Sequence, residues 1–226
     1  MKKQLICILT LLSSVIFGVD YDWEAFKTSI LPHQKKFDGW CEEEKVYKMM
    51  DLIYDTHPSI CVEIGVFGGS SVYPTAAALS YLKQGVIYAI DPWSKAACLE
   101  GYASDDANYK WWGSINLDSI LRDFIAKMKL YGVHHRCTIL RATSVDALSH
   151  FDDASIDILH IDGNHTEESA LRDVLLYYPK VKSGGYIWFD DANWSSTAKA
   201  IAFLTEHCHE FNIHRSTSTC LLFQKP

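Results

Sequence analysis

Five short apolar runs, four closed by a glycine or an acidic residue and one by Thr143 and Ser144, constrain this chain of 226 residues more than any other feature. They are ICVEIGV (60–66), GVIYAIDPW (85–93), CTILRATS (137–144), SIDILHID (155–162) and GGYIWFDDAN (184–193). None alternates apolar and polar residues cleanly, so each reads as a strand buried on both faces, as in a parallel sheet covered by helices. Helical stretches separate them. In EEEKVYKMMDLIYDTH (42–57), Val46, Met49, Met50 and Ile53 recur at helical spacing before Pro58. GGSSVYPTAAALSYL (68–82) is a glycine turn, a Ser cap and a helix that tolerates Pro74 in its first turn. NLDSILRDFIAKMKLYG (116–132) presents Ile120, Leu121, Phe124, Ile125 and Met128 on one face, with Gly132 as its stop. Two more helices are predicted over 166–178, with Leu171, Val174, Leu175 and Tyr178 inward, and over 196–207. FNIHRS (211–216) and TCLLFQK (219–225) predict a closing hairpin. The alternation defines an α/β fold, read as one domain over 19–226. The segment 94–113 has no clear period and holds Tyr102, Tyr109, Trp111 and Trp112, an aromatic-rich insertion that suits a lid or binding loop and equally a pair of surface helices packed on the core.

Net charge is −7 with no basic block, so the chain lacks the footprint of a nucleic-acid binder. Lys2 and Lys3, an apolar run from Leu5 to Phe17 and then Gly18 have the layout of a secretory signal peptide over 1–18. The run is short for a stable membrane span. A cleaved leader implies export to the periplasm or the medium; a retained one implies the cytoplasm. The cysteines form no CxxC pair, and the spacing of His207 and His209 does not suit a helical metal pair.

In an open parallel sheet, ligands bind beyond the carboxyl ends of the strands. There this chain places Glu63, Gly65, Gly68 and Gly69; Asp91; Thr143 and Ser144; Asp162 and His165; and Asp190, Asp191 and Asn193. An acid ending the second strand can accept hydrogen bonds from a ribose diol. The glycine turn lacks the GxGxxG register of a pyrophosphate site and has no P-loop lysine. A nucleoside without phosphates is therefore favoured over a dinucleotide, which argues against an NAD(P)-dependent oxidoreductase.

VEIGVFGGSS, AIDPW, LHIDGNHTEESALRDV and GGYIWFDD together resemble class I S-adenosylmethionine-dependent methyltransferases. They are most similar to the metal-dependent O-methyltransferases of macrolide sugars and the cephalosporin hydroxylase-like proteins. The resemblance implies a Rossmann-like sheet of seven strands, mostly parallel with the last antiparallel, and helices on both faces. It implies S-adenosylmethionine contacts from Glu63, Gly65, Gly68, Gly69 and Ser70, with Asp91 at the ribose, Trp93 near the adenine and Ser144 on its other side. It also implies a divalent cation, magnesium, on Asp162, Asp190 and Asp191, with His165 as general base, a small hydroxylated acceptor such as a sugar, and assembly into homo-oligomers. The chemistry is coherent: a hard cation lowers the hydroxyl pKa and an imidazole takes the proton. The rival expectation is an exported binding protein that keeps the fold without catalysis.

Overall fold

The computed structural model describes residues 21–210 and 216–226. The predicted leader and most of the 211–216 strand lie outside the described residues. The five apolar runs form β1 (Ile60–Ile64), β2 (Val86–Ile90), β3 (Cys137–Leu140), β4 (Ile156–Ile161) and β5 (Val181–Phe189). β6 (His209–Glu210) and β7 (Leu221–Gln224) complete a seven-stranded sheet of order β3-β2-β1-β4-β5-β7-β6. β1 to β5 pair in parallel, and β7 runs antiparallel to both β5 and β6. This is the expected architecture.

The helices in chain order are α1 (Tyr21–Gln34), α2 (Glu43–Thr56), α3 (Val72–Tyr81), α4 (Lys95–Cys98), α5 (Ala107–Ser114), α6 (Leu117–Leu130), α7 (Ser144–Ala147), α8 (Glu167–Tyr177) and α9 (Ala198–His207). One sheet face packs on the layer that holds Met50, Tyr73 and Phe124, from α2, α3 and α6. The other packs on Val174, Tyr177 and Leu204, from α8 and α9. α2 buries Val46, Met49, Met50 and Ile53 as their spacing predicts, and ends at His57 in the left-handed region. α6 starts where the Asn116 side chain accepts from the Ser119 amide at 3.1 Å.

One element is added and one expectation is corrected. The segment before Cys41, for which no helix is predicted above, contains α1, whose Trp23, Ile30 and Leu31 enter the core. Asp51 of α2 anchors it by accepting from Trp23 Nε1 at 2.8 Å and from Lys27 Nζ at 2.7 Å. On α8 the inward stripe is Ala170, Val174 and Tyr177, whereas Leu175 is 47% exposed and Leu171 and Tyr178 are only half-buried. A turn of 3.6 residues carries Leu175 about 100° round from Val174, toward solvent. No helix among the described residues is long and apolar enough to cross a membrane.

The first βα turn depends on Gly65. Its φ is +84°, and a Cβ there would fall 2.0 Å from the Asp162 carbonyl oxygen, a backbone atom that cannot rotate away. Gly65→Ala is expected to cost at least about 2 kcal/mol from strain and displacement of the facing turn, measured as a lower urea midpoint at unchanged m-value.

Candidate active site

The strand ends meet because the ladder continues past each strand. The Gly65 amide donates to Ile90 O at 2.9 Å, Asp162 to Ile64 O at 2.8 Å and Asp190 to Ile161 O at 2.9 Å. The turns after β1, β2, β3, β4 and β5 therefore surround one cleft of about 590 Å³, where the strand order reverses on either side of β1. α5 and the segment joining α1 to α2 close it from the side with Trp40, Trp111 and Trp112. These rings and Phe67 form one aromatic wall: Trp40 stacks on Phe67 at 5.4 Å, and Trp111 lies 5.2 Å from Trp40.

Of the sequence-predicted cofactor residues, Gly65, Ser70, Asp91 and Ser144 line the cleft. Asp91 Oδ2 accepts from the Val66 and Phe67 amides, both at 3.0 Å, and Oδ1 from the Trp93 amide at 2.7 Å. Burial raises its pKa against the lowering effect of those amides. One lone pair on Oδ1 stays open toward a hydroxyl. Ser144 donates through Oγ to buried Asp173, which also lines the cleft.

Four predicted residues are not cleft residues. Gly68 packs on Asp38 and Gly69 on the Phe124 ring, so both serve the turn's packing. Trp93 is 2% exposed, donates from Nε1 to Phe67 O at 2.8 Å and stacks toward Phe124 in the core. Glu63 is fully buried. The two-residue period of β1 aims it with Cys61 at the α2–α3 layer, where Ser71 and His160 meet it.

The chemical residues fall into two groups. His165 Nε2 lies 3.0 Å from Asp191 Oδ2 and 3.7 Å from Asp162 Oδ1, and its ring packs 5.1 Å from Trp194. Asp190 lies beside Asp162. It pairs with the ammonium of Lys45, which comes from α2, and lies 3.6 Å from His160 Nε2. Lys45 Nζ is also 3.8 Å from Asp162 Oδ2. Burial and Lys45 press the His160 pKa down, but Glu63 and Asp190 prevail and lift it to about 9. Burial raises Asp190, but Lys45 and His160 outweigh it and hold Asp190 below the usual carboxylate range; Asp162 is raised by burial and by Asp190.

The expected magnesium set is therefore corrected. Asp162 adjoins Asp190 on one side and His165, the neighbour of Asp191, on the other, but Lys45 pairs with Asp190 and stands beside Asp162, so an ammonium already occupies part of the expected metal position. A dication there would meet a fixed ammonium; at about 4 Å and an effective dielectric of about 20, each pair of like unit charges costs about 4 kcal/mol. The donors left together are Asp162, His165 and Asp191. Magnesium prefers oxygen donors and retained waters, and the imidazole nitrogen among these three suits a transition metal better.

Sequence reasoning missed Lys45, His160, Asp173 and Trp40. Lys45 had a readable signal: it stands four residues before Met49 and eight before Ile53, on the apolar stripe of α2. His160 interrupts an otherwise apolar strand.

The fold and cleft define a class of protein, and comparison with known proteins agrees. The chain resembles the O-methyltransferase NovP, with a TM-score of 0.64 and 17% identity over 83% of each chain. It resembles the O-methyltransferase of Bacillus cereus solved with SAH, with a TM-score of 0.57 and 12% identity over 95% and 94% of the two chains. Cofactor-bound Rv0187 from MTB gives 0.58 and 13% over 95% and 94%. A segment of 36 residues is 56% identical to protein R132 of Acanthamoeba polyphaga mimivirus, which is 16% of either chain. The methyltransferase-domain family matches residues 62–192, more than half of the chain, and the chain belongs to that family.

Asp173 offers a check on the cofactor side. Burial lifts its pKa to about 6, against the Ser144 hydrogen bond and Arg172. Between about pH 4 and that value the folded chain holds a proton the unfolded chain has lost, so this contribution to stability falls as pH rises. Asp173→Asn does not titrate. It is expected to gain on wild type by up to about 3 kcal/mol from pH 4 to pH 7, read from urea unfolding at both pH values.

Proposed function

We propose that the protein is an S-adenosylmethionine-dependent O-methyltransferase acting on a hydroxyl of a small neutral or cationic molecule, such as a sugar. The observation that carries this reading is His165 standing 3.0 Å from Asp191 inside the cleft at the carboxyl edge of the sheet. Family membership and the cofactor-bound and SAH-bound relatives of the same fold support it.

When bound, S-adenosylmethionine supplies the sulfonium methyl group as electrophile. The chain's residues supply the rest. Asp91 accepts from a ribose hydroxyl with its open lone pair. Ser144 and the aromatic wall flank a planar base. Among the described residues, Glu42, Glu44, Glu100, Asp91, Asp162, Asp173, Asp190 and Asp191 line the cleft against Lys45 and Arg172. That field favours a cationic sulfonium and disfavours phosphorylated or carboxylated acceptors. His165 removes the acceptor's hydroxyl proton as the new C–O bond forms, and Asp191 and Asp162 stabilise the resulting imidazolium. Trp194, packed beside His165, offers a flat face to the apolar side of a sugar ring.

Calorimetric titration with SAH is expected to give one site per chain. His165→Ala is expected to lower turnover by about 10²–10⁴-fold while SAH affinity stays as in wild type. A variant with undiminished turnover would remove His165 from the reaction.

A further inference from the structure

We infer that Lys45 is the resident cation of this pocket, holding by its ammonium the place between Asp162 and Asp190 where the resemblance puts a divalent metal, so that no magnesium site forms. The consequence for catalysis rests on the methyltransferase reading; the charge arrangement does not.

Lys45 is 5% exposed, and a charge so deep persists only when paired. Asp190 is its close partner and Asp162 its second, at 3.8 Å. His160 Nε2 lies 3.6 Å from the same Asp190 oxygen and adds a second cationic neighbour to that carboxylate. Nothing else explains a lysine on the apolar stripe of α2, where the helix otherwise buries Val46, Met49 and Ile53. Lys45 also lines the cleft. An ammonium has three N–H donors; Asp190 takes one, Asp162 at 3.8 Å is an ion-pair partner, and the donors left can meet the oxygen of an acceptor. Lys45 is thus a positioning residue that sets the directions of Asp190 and Asp162 and leaves His165 free of metal.

The test is a Mn²⁺ titration of the full chain followed by electron paramagnetic resonance, with and without SAH. Wild type is expected to show no stoichiometric site tighter than about 1 mM. Lys45→Ala uncovers two carboxylates and is expected to bind one Mn²⁺ at least about tenfold more tightly. Lys45→Arg, which keeps the charge, binds none. Stoichiometric binding by wild type that Asp162→Asn abolishes overturns the inference. If Lys45→Ala does not fold, wild type and Lys45→Arg still decide. Failure of SAH to bind counts against the transferase reading alone, since the Mn²⁺ titration needs no cofactor.

Discussion

The parallel pairing of β1 on both sides, with β2 and with β4, is the constraint on which the rest of the structure depends. It sets the direction of the neighbouring strands, so their carboxyl ends share one edge. It also puts the reversal of strand order at β1, where the helices that follow β1 and β4 leave toward opposite faces and open a crevice between them. The β1 turn must then pass within contact distance of the β4 turn. Gly65 against the Asp162 backbone is that contact, and it fixes the glycine side of the cleft against the carboxylate side.

The same pairing explains a polar row inside the sheet. Glu63 of β1 lies in register with His160 of β4, and His160 with Trp188 of β5. The two-residue period carries the row on to Asp190, just past the end of β5, and α2 lays Lys45 over it. Buried charges of one sign would be untenable in so low a dielectric. Here lysine and a histidine with a raised pKa stand against carboxylates. The row links the strand interior to the cleft floor, and it makes the orientation of Asp162 a property of the packed sheet and α2 together.

How much of this was legible in the sequence follows from what kind of signal each residue carries. The strands were readable because a strand buried on both faces needs a continuous apolar run. α2 and α6 were readable because a single apolar stripe repeats with the helical period. α1 was not, because its burial depends on Trp23 meeting Tyr54 and Tyr81 of other helices, contacts no local period records. Gly65, Asp91, Asp162 and His165 could be placed at the cleft from strand ends alone. Trp93, Gly68, Gly69 and Glu63 could not be kept out of it by the same means. Whether a residue next to a strand end faces ligand or core depends on the turn's dihedrals and on which face the last strand residue takes. Trp93 has a φ of +42°, a conformation no local pattern announces, and its ring lies in the core.

Lys45 shows why the acidic residues could be located from sequence while their joint task could not. The carboxylates at this sheet edge repel one another unless a cation is among them, and the family resemblance implied a divalent metal on Asp162, Asp190 and Asp191. A lysine from a helix outside the strand-end pattern satisfies the same electrostatic demand with a covalently fixed charge. It neutralises one unit where magnesium would neutralise two, so the cleft keeps a net negative field from Glu42, Glu44, Asp91 and Asp191. That residual field is an asset for a site that must hold a sulfonium, and it disfavours the formation of a free alkoxide on the acceptor ahead of attack. Proton removal must then accompany attack, which is the circumstance in which an imidazole held between Asp191 and Asp162 contributes most.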